Sequence, residues 1–173
     1  MGKIIFYEDK HFGGHQYECI DDCADMLCYL HRCNSIKVES GCFMIYEQPH
    51  YKGHQFLVRK GDYPEFESWL GKNDSVCSCH VIPMGSSHEV KLFERMEYGG
   101  QMMALADDCP NVMDMFQINH VYSCKVSGGS WLFFEQSNYK GRMYLIRPGD
   151  YTRFTEWGGI NARVGSIKRI MNY

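Results

Sequence analysis

The side chains of this chain best suited to metal ligation, nucleophilic catalysis or cross-linking are eight histidines and nine cysteines: Cys19, Cys23, Cys28, Cys33, Cys42, Cys77, Cys79, Cys109 and Cys124. Zinc is the first chemistry to weigh, because Cys19, Cys23, Cys28 and Cys33 lie near His31 and Cys77-Ser78-Cys79-His80 is compact. Yet the cysteine spacings of four, five and five match neither a two-residue knuckle nor a paired partner for one. A secreted disulfide framework is not expected either, since the cysteine count is odd and no charged leader precedes a hydrophobic stretch. Reduced thiols buried as small hydrophobes are the simpler reading, with Cys19–Cys23 and Cys77–Cys79 the pairs considered for oxidation with age.

Catalysis has no better footing. The sequence holds no G-x-S-x-G, no H-E-x-x-H and no Gly-rich phosphate loop, and its Cys-His neighbours fall in strand-like runs. Paired carboxylates exist at Asp21-Asp22, and a Glu recurs at Glu8, Glu47, Glu94 and Glu135. An acid needed once in a mechanism is not copied four times, so these glutamates read as structural. No catalytic residue, cofactor or small-molecule substrate is therefore expected.

What is copied is a longer pattern, aromatic-Glu-x3-aromatic-x-Gly. It occurs as Tyr7 to Phe12 and Gly14, Tyr46 to Tyr51 and Gly53, Phe93 to Tyr98 and Gly100, and Phe134 to Tyr139 and Gly141. A chain of this composition would hold about 0.02 such matches by chance, so the pattern marks an internal repeat. Aromatics five apart fit neither strand alternation nor a helix face, and a Gly two residues on suggests a positive φ. The expectation is a strand that folds back in a tight hairpin, the first aromatic lying against the Gly. A β-like run follows each Gly, over His15–Ile20, His54–Val58, Gln101–Leu105 and Arg142–Ile146. Each unit then closes on an apolar strand that begins with Ser35, Ser75, Ser123 or Ser166, whose hydroxyl is expected to cap the hairpin through its backbone.

Successive repeats start 39, 47 and 41 residues apart, and the long middle step contains Pro83-Met84-Gly85-Ser86-Ser87-His88. The halves also match each other. An offset of 88 takes Phe43 to Trp131, Gly61-Asp62-Tyr63 to Gly149-Asp150-Tyr151 and Trp69 to Trp157, while an offset of 86 takes Asp21-Asp22-Cys23 to Asp107-Asp108-Cys109. The unit was doubled and the pair then doubled again. The expected fold is all-β: two domains, 1–83 and 88–173, joined by a linker at 84–87, each a β-sandwich of two repeat units (about 2–40 and 41–83, then 88–128 and 129–173). Tyr63 and Tyr151, each after Gly-Asp, are expected to form tyrosine corners.

These residues together resemble the βγ-crystallins, specifically the γ-crystallins of the eye lens, from Gly2 to Tyr173. Gly2–Asp9, Cys33–Val38 and Gly41–Met44 are most similar to the methionine-rich γM type of aquatic vertebrates, in which Phe in place of the first Trp, here Phe43, is common. The resemblance implies four Greek keys, a monomer and a structural role in the lens. It also places Met44, Leu57 and Ile82, with their 88-offset counterparts Leu132, Leu145 and Ile170, on facing domain surfaces rimmed by Gln55, Arg59, Met143 and Arg147. Some relatives bind calcium through an acidic or amide pair followed, two residues later, by Ser/Thr-Ser. The windows ending at Ser35, Ser75, Ser123 and Ser166 lack that pair, so a calcium-binding module is the alternative and no tight metal site is expected.

Composition agrees with a bulk role. Net charge is -3, from 18 basic and 21 acidic residues, with no basic stripe to suggest nucleic acid. No apolar run approaches the about 18 residues of a membrane span, so a soluble cytoplasmic protein of lens fibre cells is expected. The chain carries 11 Met, nine Cys and 25 aromatics, all polarisable groups that raise refractive index. Partners are expected to be further copies and other crystallins, held weakly at high concentration.

Overall fold

A computed structural model describes residues 2–83 and 87–171. The chain divides into two compact units, the first ending at Ile82 and the second beginning at Pro83. Met84, Gly85 and Ser86 of the expected linker lie outside the described residues.

In the first unit, β1 (Lys3–Asp9) runs antiparallel to β2 (Gly13–Cys19) on one side and to the start of β3 (Ser35–Gln48) on the other. β3 and β4 (Lys52–Tyr63) are long, and each serves two layers. Cys42–Gln48 pairs with Arg59–Lys52 of β4 and, through Phe43–Tyr46, with β5 (Ser78–Val81). Ile36–Val38 instead pairs with Tyr63–Gly61, so the Gly61-Asp62-Tyr63 corner of the second repeat joins the sheet of the first. The register breaks between Val38 and Cys42, where Gly41 takes φ 78°. That exchange of an edge between repeats makes each a Greek key.

The second unit has the same order with its strands cut at the bends. One sheet holds β6 (Glu89–Phe93), β7 (Met102–Leu105), β8 (Ser123–Gly128) and β11 (Gly149–Tyr151), in the order β11-β8-β6-β7. The other holds β9 (Trp131–Gln136), β10 (Lys140–Ile146) and β12 (Ser166–Arg169), in the order β10-β9-β12. Again the Gly-Asp-Tyr strand, β11, leaves its own repeat and pairs with β8. One short helix, α1 (Val112–Phe116), is capped by the Asn111 side chain and fills part of the third repeat's variable stretch.

Alternation along these strands decides which side chains enter the cores. Ile4 and Phe6 of β1, Ile36 and Val38 at the start of β3 and Phe43 and Ile45 further along it enter one core with Val58, Trp69 and Cys79. Val90, Leu92, Val126, Trp131, Phe133, Ile146, Trp157 and Ile167 form the matching core of the second unit. Each core is thus a filling between two sheets, a β-sandwich closed at its corners by tyrosines. Tyr63 Oη donates to the Arg59 carbonyl at 3.0 Å and accepts the Arg59 N–H at 2.9 Å. Tyr151 does the same with Arg147, at 2.9 and 3.0 Å. Burial raises the Tyr151 pKa, so the hydroxyl stays protonated and able to donate.

Phe6 is fully buried at the centre of the first core. Phe6→Ala is expected to lower stability by about 3–5 kcal/mol. Urea unfolding measures the loss, and hydrogen exchange should place the lost protection among the strands of the first unit.

Candidate functional site

The feature most repeated in the sequence is also the most repeated in the structure. In each hairpin the two aromatic rings meet edge to face: Tyr7–Phe12 at 5.7 Å between centroids, Tyr46–Tyr51 at 5.5 Å, Phe93–Tyr98 at 5.5 Å and Phe134–Tyr139 at 5.8 Å. Reaching that geometry across five residues needs an abrupt reversal. The chain makes it by placing the second aromatic and the residue before it in the left-handed region, at His11-Phe12, His50-Tyr51, Glu97-Tyr98 and Asn138-Tyr139, with φ between 54° and 63°. Each such non-Gly residue costs on the order of 1 kcal/mol or more, so something must hold the reversal closed.

A serine hydroxyl holds it. Ser35 Oγ donates to the carbonyl of Asp9 at 2.6 Å and accepts the N–H of Phe12 at 2.9 Å. Ser123 does so between Arg95 and Tyr98, and Ser166 between Gln136 and Tyr139, with distances of 2.6 and 2.9 Å each time. The hydroxyl stands where a tight turn would have its direct carbonyl-to-N–H bond, and satisfies both groups. Each of these serines is fully buried. Each also faces the first aromatic across the sheet, as Tyr7↔Ser35, Phe93↔Ser123 and Phe134↔Ser166, so one residue fixes both the turn and the strand register.

In the second repeat the serine is Ser78, which corrects the assignment of Ser75. Ser78 Oγ donates to Gln48 O at 2.7 Å and accepts Tyr51 N–H at 3.0 Å, is fully buried, and faces Tyr46 in the ladder. Ser75 is exposed, and its N–H donates to Asn73 Oδ1 at 2.9 Å in a local turn. The spacing agrees with the fourth repeat: Ser78 lies 25 residues after Gly53 as Ser166 lies 25 after Gly141, whereas Ser75 lies 22 after it. A signal in the sequence could have found it, namely a cation two residues after the serine. Lys37 Nζ lies 4.5 Å from the Phe12 ring centre, Lys125 4.2 Å from Tyr98 and Lys168 4.6 Å from Tyr139. His80 holds that place in the second repeat, stacked on Tyr51 at 3.6 Å, with its Nδ1 3.0 Å from Asp22 Oδ2.

The glycine also needs a correction, since its close neighbour is an acidic or amide side chain and not the first aromatic ring. At Gly100, φ is 75° and an added Cβ would stand 2.5 Å from Glu94 Oε1. That carboxylate accepts the N–H of Gln101 at 3.3 Å, as Glu47 Oε1 accepts that of His54 at 3.1 Å. Gly14, Gly53 and Gly141 share the positive φ. The recurrent glutamates therefore tie down the outgoing strand, and Glu8 departs by accepting the His31 N–H at 3.2 Å.

The stretch before Ser78 bears on metal binding. The window reads Asn73-Asp74-Ser75-Val76-Cys77-Ser78, which does hold an amide and acid pair two residues before the closing pair. Cys77 stands where the calcium pattern has Ser or Thr, and a soft sulfur is a poor ligand for a hard cation. Asn73 Oδ1 and the Asp74 carbonyl are already engaged, by Ser75 N–H and Cys33 N–H. Among the described residues there is no group of three or more His, Cys, Asp or Glu placed to hold a metal ion.

Seven of the nine cysteines are buried, and burial above all pushes Cys33 up to about 12 and Cys42 up to about 11, well into the inert thiol range. Within their own units, Met44 and Leu57 are cross-strand partners in β3 and β4, and Leu132 and Leu145 in β9 and β10. They alternate with the core residues Phe43, Ile45, Trp131 and Phe133, and so face away from the cores. Ile82 and Ile170 continue the same edges, their N–H groups donating to Cys42 O and Ser130 O.

Ser78→Ala should leave the Tyr51 N–H and Gln48 carbonyl without their buried partner and cost about 1–3 kcal/mol, while Ser75→Ala should stay within about 0.5 kcal/mol of the parent. Chemical denaturation of the two variants side by side checks the assignment.

The family description Beta/Gamma crystallin matches residues 3–82 and 89–170. Gamma-crystallin D of Mus musculus is 50% identical over 173 residues, covering 100% of this chain and 99% of that protein. Gamma-crystallin D of Bos taurus is 51% identical over 172 residues, 99% of each. Among solved structures, a beta gamma crystallin from Ciona intestinalis is 32% identical over 46% of this chain and 99% of its own, with a TM-score of 0.45. On its sequence, full length and both halves, the chain belongs to the beta/gamma crystallin family, among the gamma-crystallins.

Proposed function

We infer that this chain is a structural constituent of the eye lens, without enzymatic activity. The observation that carries the reading is the fourfold clamp itself. Among the described residues the repeated serines, aromatics and glycines all serve in closing a hairpin, and they leave no asymmetric cluster of nucleophile, base and orienting group. Stable paired sandwiches suit a protein that must stay folded for long periods at high concentration.

We propose that composition supplies the optical part. Among the described residues five methionines, Met96, Met102, Met113, Met115 and Met171, are exposed, so filling gaps in the core does not account for them. At the surface a thioether contributes polarisability without adding charge. The γM subtype, the lens-fibre cytoplasm and a mainly monomeric state with weak self-association belong to the same proposal. So does domain pairing through Met44, Leu57, Ile82, Leu132, Leu145 and Ile170, which rests on their matching positions in the two halves. No described helix is long and apolar enough to cross a membrane.

A calcium-binding module is the second reading, favoured only by Asn73-Asp74 in the second repeat. Two expectations separate them. The refractive increment of the purified protein should exceed that of a protein of average composition, and an ordinary value removes the optical claim. Isothermal titration with calcium should show no site tighter than about 1 µM, the range of sensor proteins.

A further inference from the structure

Cys19, at the end of β2, and Cys79, in β5, lie in strands that do not pair with each other and point into the same core, with their sulfurs 3.9 Å apart. The approach is built in from the backbone. After Cys19 the chain crosses to β5, where Cys23 N–H donates to Cys79 O at 2.9 Å and Cys79 N–H donates to Cys23 O at 3.0 Å. Asp22 Oδ1 then accepts Val81 N–H at 2.8 Å. The segment carrying Cys19 is thereby pinned beside Cys79 at both ends. Two sulfurs also lie on one carbonyl: the Cys19 thiol donates to Asp21 O at 2.9 Å, and the Cys79 thiol reaches the same oxygen at 4.0 Å as well as Cys19 Sγ. Cys23, by contrast, turns its thiol to Asp25 O at 3.6 Å.

We propose that Cys19 and Cys79 are a reversible disulfide site that consumes peroxide and staples β2 to β5 across the core of the first unit. The Cys19 thiolate attacks one oxygen of hydrogen peroxide; the O–O bond breaks, hydroxide leaves and takes up the thiol's proton as water, and Cys19 becomes a sulfenic acid. The Cys79 sulfur then attacks the Cys19 sulfur, forming the S–S bond while the sulfenic hydroxyl leaves with the Cys79 proton as a second water. Two thiols are oxidised and one peroxide is reduced. The roles follow from the surroundings. The hydrogen bond from the Cys79 thiol lowers the Cys19 pKa to about 7, whereas Cys79, which holds that proton and is more deeply buried, is shifted upward and waits as the resolving thiol. Cys19 also retains slight exposure while Cys79 has none. This pairing differs from the two close in sequence, Cys19–Cys23 and Cys77–Cys79. Because the site depends on the fold and not on the lens role, its failure leaves that role untouched.

The test is peroxide treatment of the full chain followed by non-reducing tryptic mapping with tandem mass spectrometry. The expected product is the peptide His11–Arg32 joined to Asn73–Lys91 with loss of two hydrogens, the fragments placing the bond between Cys19 and Cys79, and dithiothreitol releasing it. The triple variant Cys23→Ser, Cys28→Ser, Cys77→Ser leaves both proposed thiols in place and should form the same link. Cys79→Ala should abolish it and leave a sulfenic acid on Cys19 that dimedone traps. A bond mapped to Cys23 or Cys77, loss of the link in the triple variant, its persistence in Cys79→Ala, or both thiols still free after treatment would overturn the proposal.

Discussion

A single buried hydroxyl, set into a reversed turn, is the interaction on which the rest of this structure depends. Each repeat bends through two consecutive left-handed residues that are not glycine, a conformation that local sequence does not favour. The serine that bridges the turn comes from more than twenty residues later in the chain, at the start of the strand that must lie opposite the first aromatic. Closing the turn and setting the strand register are therefore one event. The ring-on-ring contact, the cation or imidazole over the second ring and the glutamate on the outgoing strand all gather around that hydroxyl.

The clamp also explains why the units are sandwiches. With the hairpin folded over one end of the sheet, the strand that follows the variable stretch is committed to the same sheet, and the Gly-Asp-Tyr corner is left to cross into its neighbour. Two repeats thus complete each other's sheets, and neither is a finished fold alone. The tyrosine corner secures the crossing by a hydroxyl that again serves as both donor and acceptor to one residue. The recurring serines and the corner tyrosines are spent on backbone. What varies freely between repeats is the exposed composition, including the surface methionines, and a bulk property is what such variation can tune.

Much of this was legible in the sequence, because repetition supplies its own controls. The four hairpins, the Ser-led strands and the two corners could each be checked against their copies, and three of the four serines fell where the spacing put them. The second repeat escaped because Ser75 offered a plausible hydroxyl before an apolar run, although it is Ser78 that the 88-residue offset between the halves takes to Ser166. Comparison of the residue two places on, Lys37, Lys125 and Lys168 against His80, would have separated Ser78 from Ser75. The glycine's neighbour could not be read at all: spacing says that a Cβ is unwelcome, but not whether a ring or a carboxylate excludes it. Nor could the approach of Cys19 to Cys79, sixty residues apart and brought together by the backbone bonds of Cys23 with Cys79 and by packing in the core.

The central claim is that this chain acts by being abundant, stable and refractive, and where it accumulates tests that most directly. Quantitative mass spectrometry of dissected tissues should find it among the major proteins of lens fibre cells and scarce elsewhere. Comparable low levels across many tissues, with no enrichment in the lens, would contradict the account.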